Sequence, residues 1–247
     1  MSMQRFKIII PSYNCSEWID KCLLSLENQK FKKYDVCIID DASTQKEQRE
    51  IILQYCKKNR WKHLFNKKNR GVLHNIVEGI KNLNPKDEDV IIQLDGDDWL
   101  YNEEVLEKLY ETYNEKDIYL TYGREIHYPD ATILPMRDLP NFVIENNMFR
   151  EHPWIFSSPK TFKYILWKHI IDQDLRDENG EYYRISGDVA YMLPMLEMAG
   201  SRIAMMEDIL YVYNRENPIS HHKIYLEKEK SIELFLRKQK KYKKLPL

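Results

Sequence analysis

The sequence predicts an α/β protein with a mostly parallel, Rossmann-like central sheet flanked by helices on both faces. Three observations carry this expectation: apolar runs at residues 6–10, 36–39 and 90–94, helical periodicity between them, and aspartates directly after two of the runs. Short buried strands alternating with helices are the pattern of a parallel sheet enclosed on both sides. Such sheets bind ligands beyond the carboxyl ends of their strands, which is where these aspartates fall.

In chain order, the first strand covers 6–10 and is ended by Pro11. A helix follows, capped by Ser16, with Trp18, Ile19, Cys22, Leu23 and Leu26 on one stripe. The strand 36–39 ends at Asp40-Asp41. Residues 45–58 read as a helix, Leu64-Phe65 as a weak strand and 72–83 as a helix again. The strand 90–94 runs into Asp95-Gly96-Asp97-Asp98. Asn102 is expected to cap the next helix, with Glu103 and Glu104 in its first turn and Val105, Leu106, Leu109, Tyr110 and Tyr113 facing inward. Residues 119–162 are rich in turns, aromatics and prolines, and predict an irregular stretch that shapes a pocket instead of adding sheet. Residues 186–199 read as a helix and 209–213 as a strand. The expected organisation is one domain over 1–225 and a basic helical tail over 226–247, a surface helix that frays, with eight Lys/Arg and three Glu.

Composition narrows the function classes. The chain has 247 residues, 43% of them hydrophobic and 31% charged, with a formal net charge of −1. Only seven are glycines, well below the usual fraction of about 7%. That scarcity argues against a P-loop, a dinucleotide-binding fingerprint or a kinase-type glycine loop. No apolar run approaches the roughly 18–20 residues of a membrane span, and the first residues lack a signal-peptide pattern. Cys15, Cys22, Cys37 and Cys56 show no C-x-x-C spacing, so a reduced, cytoplasmic setting is expected. The basic run from Lys57 to Arg70 is a solvated loop on this reading, and no nucleic-acid partner is expected of a neutral chain. Peripheral contact of the basic tail with an anionic membrane surface is the one membrane association the composition allows.

Two acidic strand ends are the candidate chemistry. Three carboxylates within Asp95-Gly96-Asp97-Asp98 repel one another unless a cation joins them, and hard oxygen ligands suit Mg2+ or Mn2+ bridging to substrate phosphates. An acidic turn in which Asp98 caps the next segment is the competing reading. A carboxylate at Asp40-Asp41 can accept a hydrogen bond from a nucleobase, against a β-turn as the competing reading. Asn69-Arg70-Gly71 opens a helix, where Arg70 and the helix N-terminus can face a diphosphate. His221 and His222, Trp154 and Trp167, and Glu125 and His127 are polar or aromatic groups near the expected pocket; for the histidines and tryptophans, surface exposure and core packing are the commoner fates.

Taken together, Ile8-Ile9-Ile10-Pro11-Ser12-Tyr13-Asn14, Ile38-Ile39-Asp40-Asp41-Ala42-Ser43-Thr44, Asn69-Arg70-Gly71 and Leu94-Asp95-Gly96-Asp97-Asp98-Trp99-Leu100 resemble a family 2 glycosyltransferase of the GT-A fold. The set covers about the first hundred residues. Ser186-Gly187-Asp188 is similar to the family's acceptor-side motif, and the segment from Tyr211 to Ser220 resembles its closing segment.

The resemblance implies a donor half over 1–100 and an acceptor half over 101–225. Pro11 and Tyr13 would line the nucleotide base within a donor motif that includes Asn14, Asp41 would hydrogen-bond the base, and Arg70 would lie near base and diphosphate. Asp95 would touch ribose or sugar, Asp97 would ligate Mn2+ or Mg2+, and Asp98 would help with metal or sugar. Asp188 would be the general base. Two departures stand out: Asn75-Ile76-Val77 replaces the family's frequent Ala-Arg-Asn, and Gly187-Asp188 replaces its frequent Glu-Asp pair.

The implied reaction is inverting transfer of a sugar from a nucleotide donor, UDP-linked first, to a hydroxyl of a glycan or other acceptor. A sugar nucleotidyltransferase is the enzymatic alternative, but Pro11-Ser12-Tyr13-Asn14-Cys15 offers no glycine-rich loop after the first strand. A non-catalytic nucleotide-sugar-binding module is the third reading.

Overall fold

A computed structural model of the chain describes residues 5–135, 137–219 and 226–246. Its centre is an eight-stranded sheet. The strands are β1 (Phe6–Ser12), β2 (Tyr34–Asp40), β3 (Lys62–Phe65), β4 (Val90–Gln93), β5 (Trp99–Leu100), β6 (Leu120–Tyr128), β7 (Ser157–Lys163) and β8 (Ile203–Asn214), in the spatial order β3-β2-β1-β4-β7-β6-β8-β5. The first four are parallel neighbours. β7 then enters antiparallel to both β4 and β6, while β6 and β8 are parallel and β5 closes the edge antiparallel to β8.

The helices are α1 (Ser16–Glu27), α2 (Lys46–Asn59), α3 (Val72–Leu83), α4 (Val105–Glu115), α5 (Asn141–Glu145), α6 (Tyr164–Trp167), α7 (Gly187–Ala199) and α8 (Leu226–Arg237). The period-2 alternation of β1 assigns them to faces. Ile8 and Ile10 pack with Ile19, Leu23 and Leu26 of α1 and Leu106 of α4, whereas Ile9 packs with Ile76 and Ile80 of α3 and Met192 and Leu196 of α7. α7 is apolar around its whole circumference and almost wholly buried, as a helix between sheet and tail must be. Among the described residues no helix is long and apolar enough to cross a membrane.

Several elements differ from the sequence expectation. Pro11 does not end β1: it lies past the last β1–β4 pair, Ile9 opposite Gln93, where a missing N–H takes nothing from the ladder, and its carbonyl accepts from Gly96 N at 3.0 Å. Asn102 does not cap α4. Its Oδ1 accepts from Glu104 N at 3.0 Å in the preceding turn, and the helix starts at Val105. The stretch 119–162 is not merely irregular, because β6 and most of β7 belong to the central sheet. The tail is also more than a fraying surface helix. Leu236 is buried, the Arg150 guanidinium donates to Leu236 O at 2.6 Å, and Tyr242 N donates to Glu197 Oε2 at 2.8 Å. Arg150 and Glu197 form a buried ion pair, so the tail supplies hydrogen bonds to charges that water cannot reach.

Candidate active site

The carboxyl ends of β1, β2 and β4 open into one cleft of about 340 Å3, lined among others by Pro11, Tyr13, Asp41, Asp95, Asp97 and Asp188. Tyr13 stands exposed at its rim. The acidic turn after β4 lies directly on β1: a Cβ on Gly96 would stand 2.7 Å from Ser12 Cβ, so any larger residue would push the aspartates away from the strand end.

At the end of β2 the carboxylates are taken up by the chain. Asp40 accepts from Gln48 Nε2 at 2.8 Å and Arg49 Nε at 2.7 Å. Asp41 Oδ1 accepts from Arg70 N at 2.8 Å and Asn66 Nδ2 at 2.7 Å, and its Oδ2 accepts from Gly71 N at 2.8 Å. Asp41 therefore clamps the loop that opens α3, while still bordering the cleft. Asn14, in a left-handed conformation, serves the neighbouring loop: its Oδ1 accepts from Thr44 N at 2.8 Å and its N–H donates to Ser43 Oγ at 2.9 Å.

The side chain of Arg70 turns towards Glu181, 3.7 Å away. The guanidinium that borders the cleft belongs to Arg184, which donates to Asn69 O at 2.8 Å and to Asn69 Oδ1 at 3.1 Å. No local motif marks Arg184. It reaches the loop that opens α3 from 115 residues away in sequence, a juxtaposition only the fold creates.

The turn after β4 is arranged differently. Asp95 Oδ1 accepts from Gln93 Nε2 at 2.8 Å, and Gln93 Oε1 in turn accepts from Tyr191 of α7 at 2.7 Å. Burial, reinforced by the charge of Asp97, pushes the Asp95 carboxyl up to about 6. Asp97 accepts from Asn217 Nδ2 at 2.7 Å. Asp98 is buried and points to β8, accepting from Tyr211 Oη and from Asn214 N, both at 2.7 Å; burial and the neighbouring Asp97 and Asp95 raise its pKa well above the usual carboxylate range. Of the three, Asp95 and Asp97 are the better oriented for a ligand in the cleft, and Asp98 secures the turn to the sheet.

This donor set suits a divalent cation. Two carboxylates crowd one wall, and the charge of Asp97 adds to burial in raising the proton affinity of Asp95, a penalty that an oxygen-seeking ion removes. Among the described residues no group of three or more His, Cys, Asp or Glu side chains gathers as a metal site. His221 and His222 lie outside the described residues.

Asp188, which lines the same cleft, sits in the first turn of α7. Its Oδ1 accepts from Val189 N at 2.9 Å and its Oδ2 meets Lys160 Nζ, from β7, at 2.9 Å. Burial works against both charges, yet each stabilises the other: the Asp188 pKa is lowered and the Lys160 pKa is raised. Lys160 escaped sequence reading because Ser-Ser-Pro-Lys-Thr-Phe-Lys has no apolar run, and its importance depends on β7 entering between β4 and β6.

The remaining candidates do not line this cleft. Trp167 stacks on Phe162 in the core at 5.8 Å, Trp154 meets Phe156 edge-on at 5.2 Å, and Glu125 accepts from Ser158 N at 3.0 Å with His127 3.3 Å from its other oxygen. All four cysteines are buried free thiols.

The pattern of glycosyl transferase family 2 matches residues 7–173, and the chain belongs to that family. An uncharacterized glycosyltransferase of Rickettsia bellii is 33% identical over 98 residues, which is 40% of this chain and 14% of that protein. The fold is GT-A. S. aureus TarS 1–349, crystallised with UDP-GlcNAc, aligns with a TM-score of 0.62 at 19% identity, covering 86% of this chain and 59% of that one. The mannosyltransferase PcManGT from Pyrobaculum calidifontis, in complex with GDP-Man and Mn2+, aligns with a TM-score of 0.61 at 14% identity, covering 90% and 60%. The chain thus spans a small part of the Rickettsia relative and about three fifths of these crystallised chains.

Proposed function

We propose that the chain transfers a sugar from a nucleotide diphosphate donor to a hydroxyl of a glycan or related acceptor, with inversion at the anomeric carbon. The observation that carries this reading is the gathering of Asp95, Asp97 and Asp188 in the lining of one cleft of about 340 Å3. The donor's base lies on this reading between Pro11 and Tyr13, with the loop held by Asp41 beneath it. Arg184, and Arg70 once it leaves Glu181, supply positive charge to the diphosphate. Asp97, with Asp95, would hold Mn2+ or Mg2+. The chemistry such an ion supplies when bound is neutralisation of the charge on the departing nucleoside diphosphate.

Asp188 takes the proton of the attacking acceptor hydroxyl, for which it must be ionised and within hydrogen-bond reach. Its pairing with Lys160 secures the ionised form, and the lysine also fixes the direction of the carboxylate. A single in-line displacement at the anomeric carbon inverts its configuration. UDP is the first nucleotide to test, because S. aureus TarS shares the fold and is crystallised with UDP-GlcNAc; GDP is the second, from PcManGT. The tail's exposed lysines, Lys228, Lys230, Lys238, Lys240, Lys243 and Lys244, are those available to an anionic surface, whereas Lys241 is paired with Glu151.

The test is a thermal-shift series of nucleotides with and without Mn2+, followed by donor turnover scored as released nucleoside diphosphate. UDP with Mn2+ is expected to raise the melting temperature of the wild type, and Asp97→Ala to lose the metal-dependent part. Absence of stabilisation by any nucleotide overturns the donor site.

A further inference from the structure

β7 separates the main cleft from a second cavity. Ser158 and Lys160 line the former, while Ser157 lines the latter, a hollow of about 280 Å3. Its other walls include Tyr122, Arg124 and Glu125 of β6, Arg137 from the following loop, and Trp154. The partition is thin. A Cβ on Gly123 would meet Pro159 Cδ at 2.5 Å and Ser158 O at 3.0 Å, so β6 and β7 approach here backbone to backbone. The pairing of β6 with β8 slips between Tyr122 and Arg124 and again between Arg124 and Glu125. Such irregularities re-aim side chains, and here consecutive residues of opposite charge border the same cavity.

The charge of this cavity is unbalanced. Arg124 Nε is shielded from solvent and makes no hydrogen bond. Glu125 is engaged elsewhere, by Ser158 N at 3.0 Å and by His127 at 3.3 Å. Among the described residues neither Arg124 nor Arg137 has a carboxylate partner. An N–H held out of water without an acceptor is costly, and the planar fork of a guanidinium matches phosphate and carboxylate oxygens. Beside the two arginines, Trp154 offers an aromatic surface on which the apolar side of a sugar ring packs.

We propose that this cavity is an acceptor subsite for an anionic glycan. Arg124 and Arg137 take the phosphate or carboxylate of the acceptor, Trp154 packs against its ring, and the chain of the acceptor passes over Ser157 and Ser158 to present its hydroxyl to Asp188. This assignment rests on the glycosyltransferase reading and deepens it by naming the acceptor class. A neutral glycan offers the two guanidinium groups no opposite charge.

The experiment titrates three oligosaccharides of equal length into the whole chain saturated with UDP and Mn2+: one bearing uronates, one linked by phosphodiesters, and one neutral. UDP affinity is measured in parallel. At least one anionic oligosaccharide is expected to bind tenfold or more tightly than the neutral one, and which of the two does so separates carboxylate from phosphate recognition. Arg124→Gln combined with Arg137→Gln is expected to remove that preference with UDP affinity unchanged, and Arg124→Lys to retain part of it. Equal binding of all three by the wild type, no binding of any, or a preference that survives the double variant overturns the subsite. Failure of the wild type to bind UDP overturns the glycosyltransferase reading instead, which keeps the two failures apart. If the double variant does not fold, the comparison of oligosaccharides on the wild type still decides.

Discussion

At the end of β2, Asp41 is surrounded by donors: the backbone N–H groups of Arg70 and Gly71 and the amide of Asn66. At the end of β4, one strand over from β1, Asp95 has an amide from Gln93 and a repelling neighbour in Asp97, and its carboxyl is pushed up to about 6. The same residue type at equivalent places in the sheet is used in opposite ways. The first carboxylate spends its hydrogen-bonding capacity on shaping the loop that a donor would meet. In the second pair each carboxylate accepts a side-chain amide, from Gln93 and Asn217, but the two crowd one another, which is where a ligand of opposite charge has most to gain.

Asp188, the third acidic position, gives the sharpest test of the division between shaping and reacting carboxylates. Asp188→Asn is expected to lower transfer by roughly 100- to 10,000-fold with UDP affinity unchanged, measured as nucleotide release in the presence of acceptor. Near-wild-type transfer would place the base elsewhere.

Asp41→Asn comes next, and its effect is on stability. An amide cannot accept equally from three donors, and leaving a buried N–H unmatched costs roughly 3 kcal/mol, or about 6–12 °C in melting temperature for a chain of this size. Asp95→Asn should do the reverse in metal-free protein at neutral pH. Removing one of two repelling charges stabilises by about 1 kcal/mol while metal-dependent UDP binding weakens. If both variants shift the melting temperature in the same direction, the contrast between the two strand ends fails.

The smallest effect concerns pH. Lys160 holds the Asp188 pKa below its ordinary value, so activity that needs the carboxylate is present above that pKa and is lost as pH falls through it. In Lys160→Met the support is gone while burial remains, and the acid limb of the rate profile is expected to move to higher pH. An unmoved limb would mean that Lys160 does not set the ionisation of the base.

The acidic strand ends were legible in the sequence because they depend on local facts: an apolar run of four or five residues, then aspartate. The limits of α3 were legible for the same reason, since Gly71 precedes and Asn84 follows a clean helical period. What each carboxylate touches was not legible. The partners of Asp98, Tyr211 and Asn214, lie more than a hundred residues away, and no periodicity signals a contact of that range. β7 was missed because its Ser157, Ser158, Lys160 and Lys163 dilute the apolar pattern, while its buried Thr161 is satisfied by Tyr113 and Thr121 hydroxyls contributed by other elements. Arg184 was eclipsed by Arg70, whose motif points to the right loop although its side chain pairs with Glu181.

The bond from Tyr211 to Asp98 also bears on how the protein comes off the ribosome. When the residues matched by the family pattern have been synthesised, up to 173, the acidic turn exists but β5 has no strand to pair with and Asp98 has neither of its β8 partners. The acidic turn therefore cannot mature ahead of the rest, as part of an independent N-terminal unit could. Contacts that span this much sequence form late and leave strand edges open meanwhile, so the nascent chain passes through an interval in which β6 is present with the edge that β8 covers left open. Slower synthesis at lower temperature, or a chaperone that shields that edge, should raise the yield of competent protein more than any change made within the cleft.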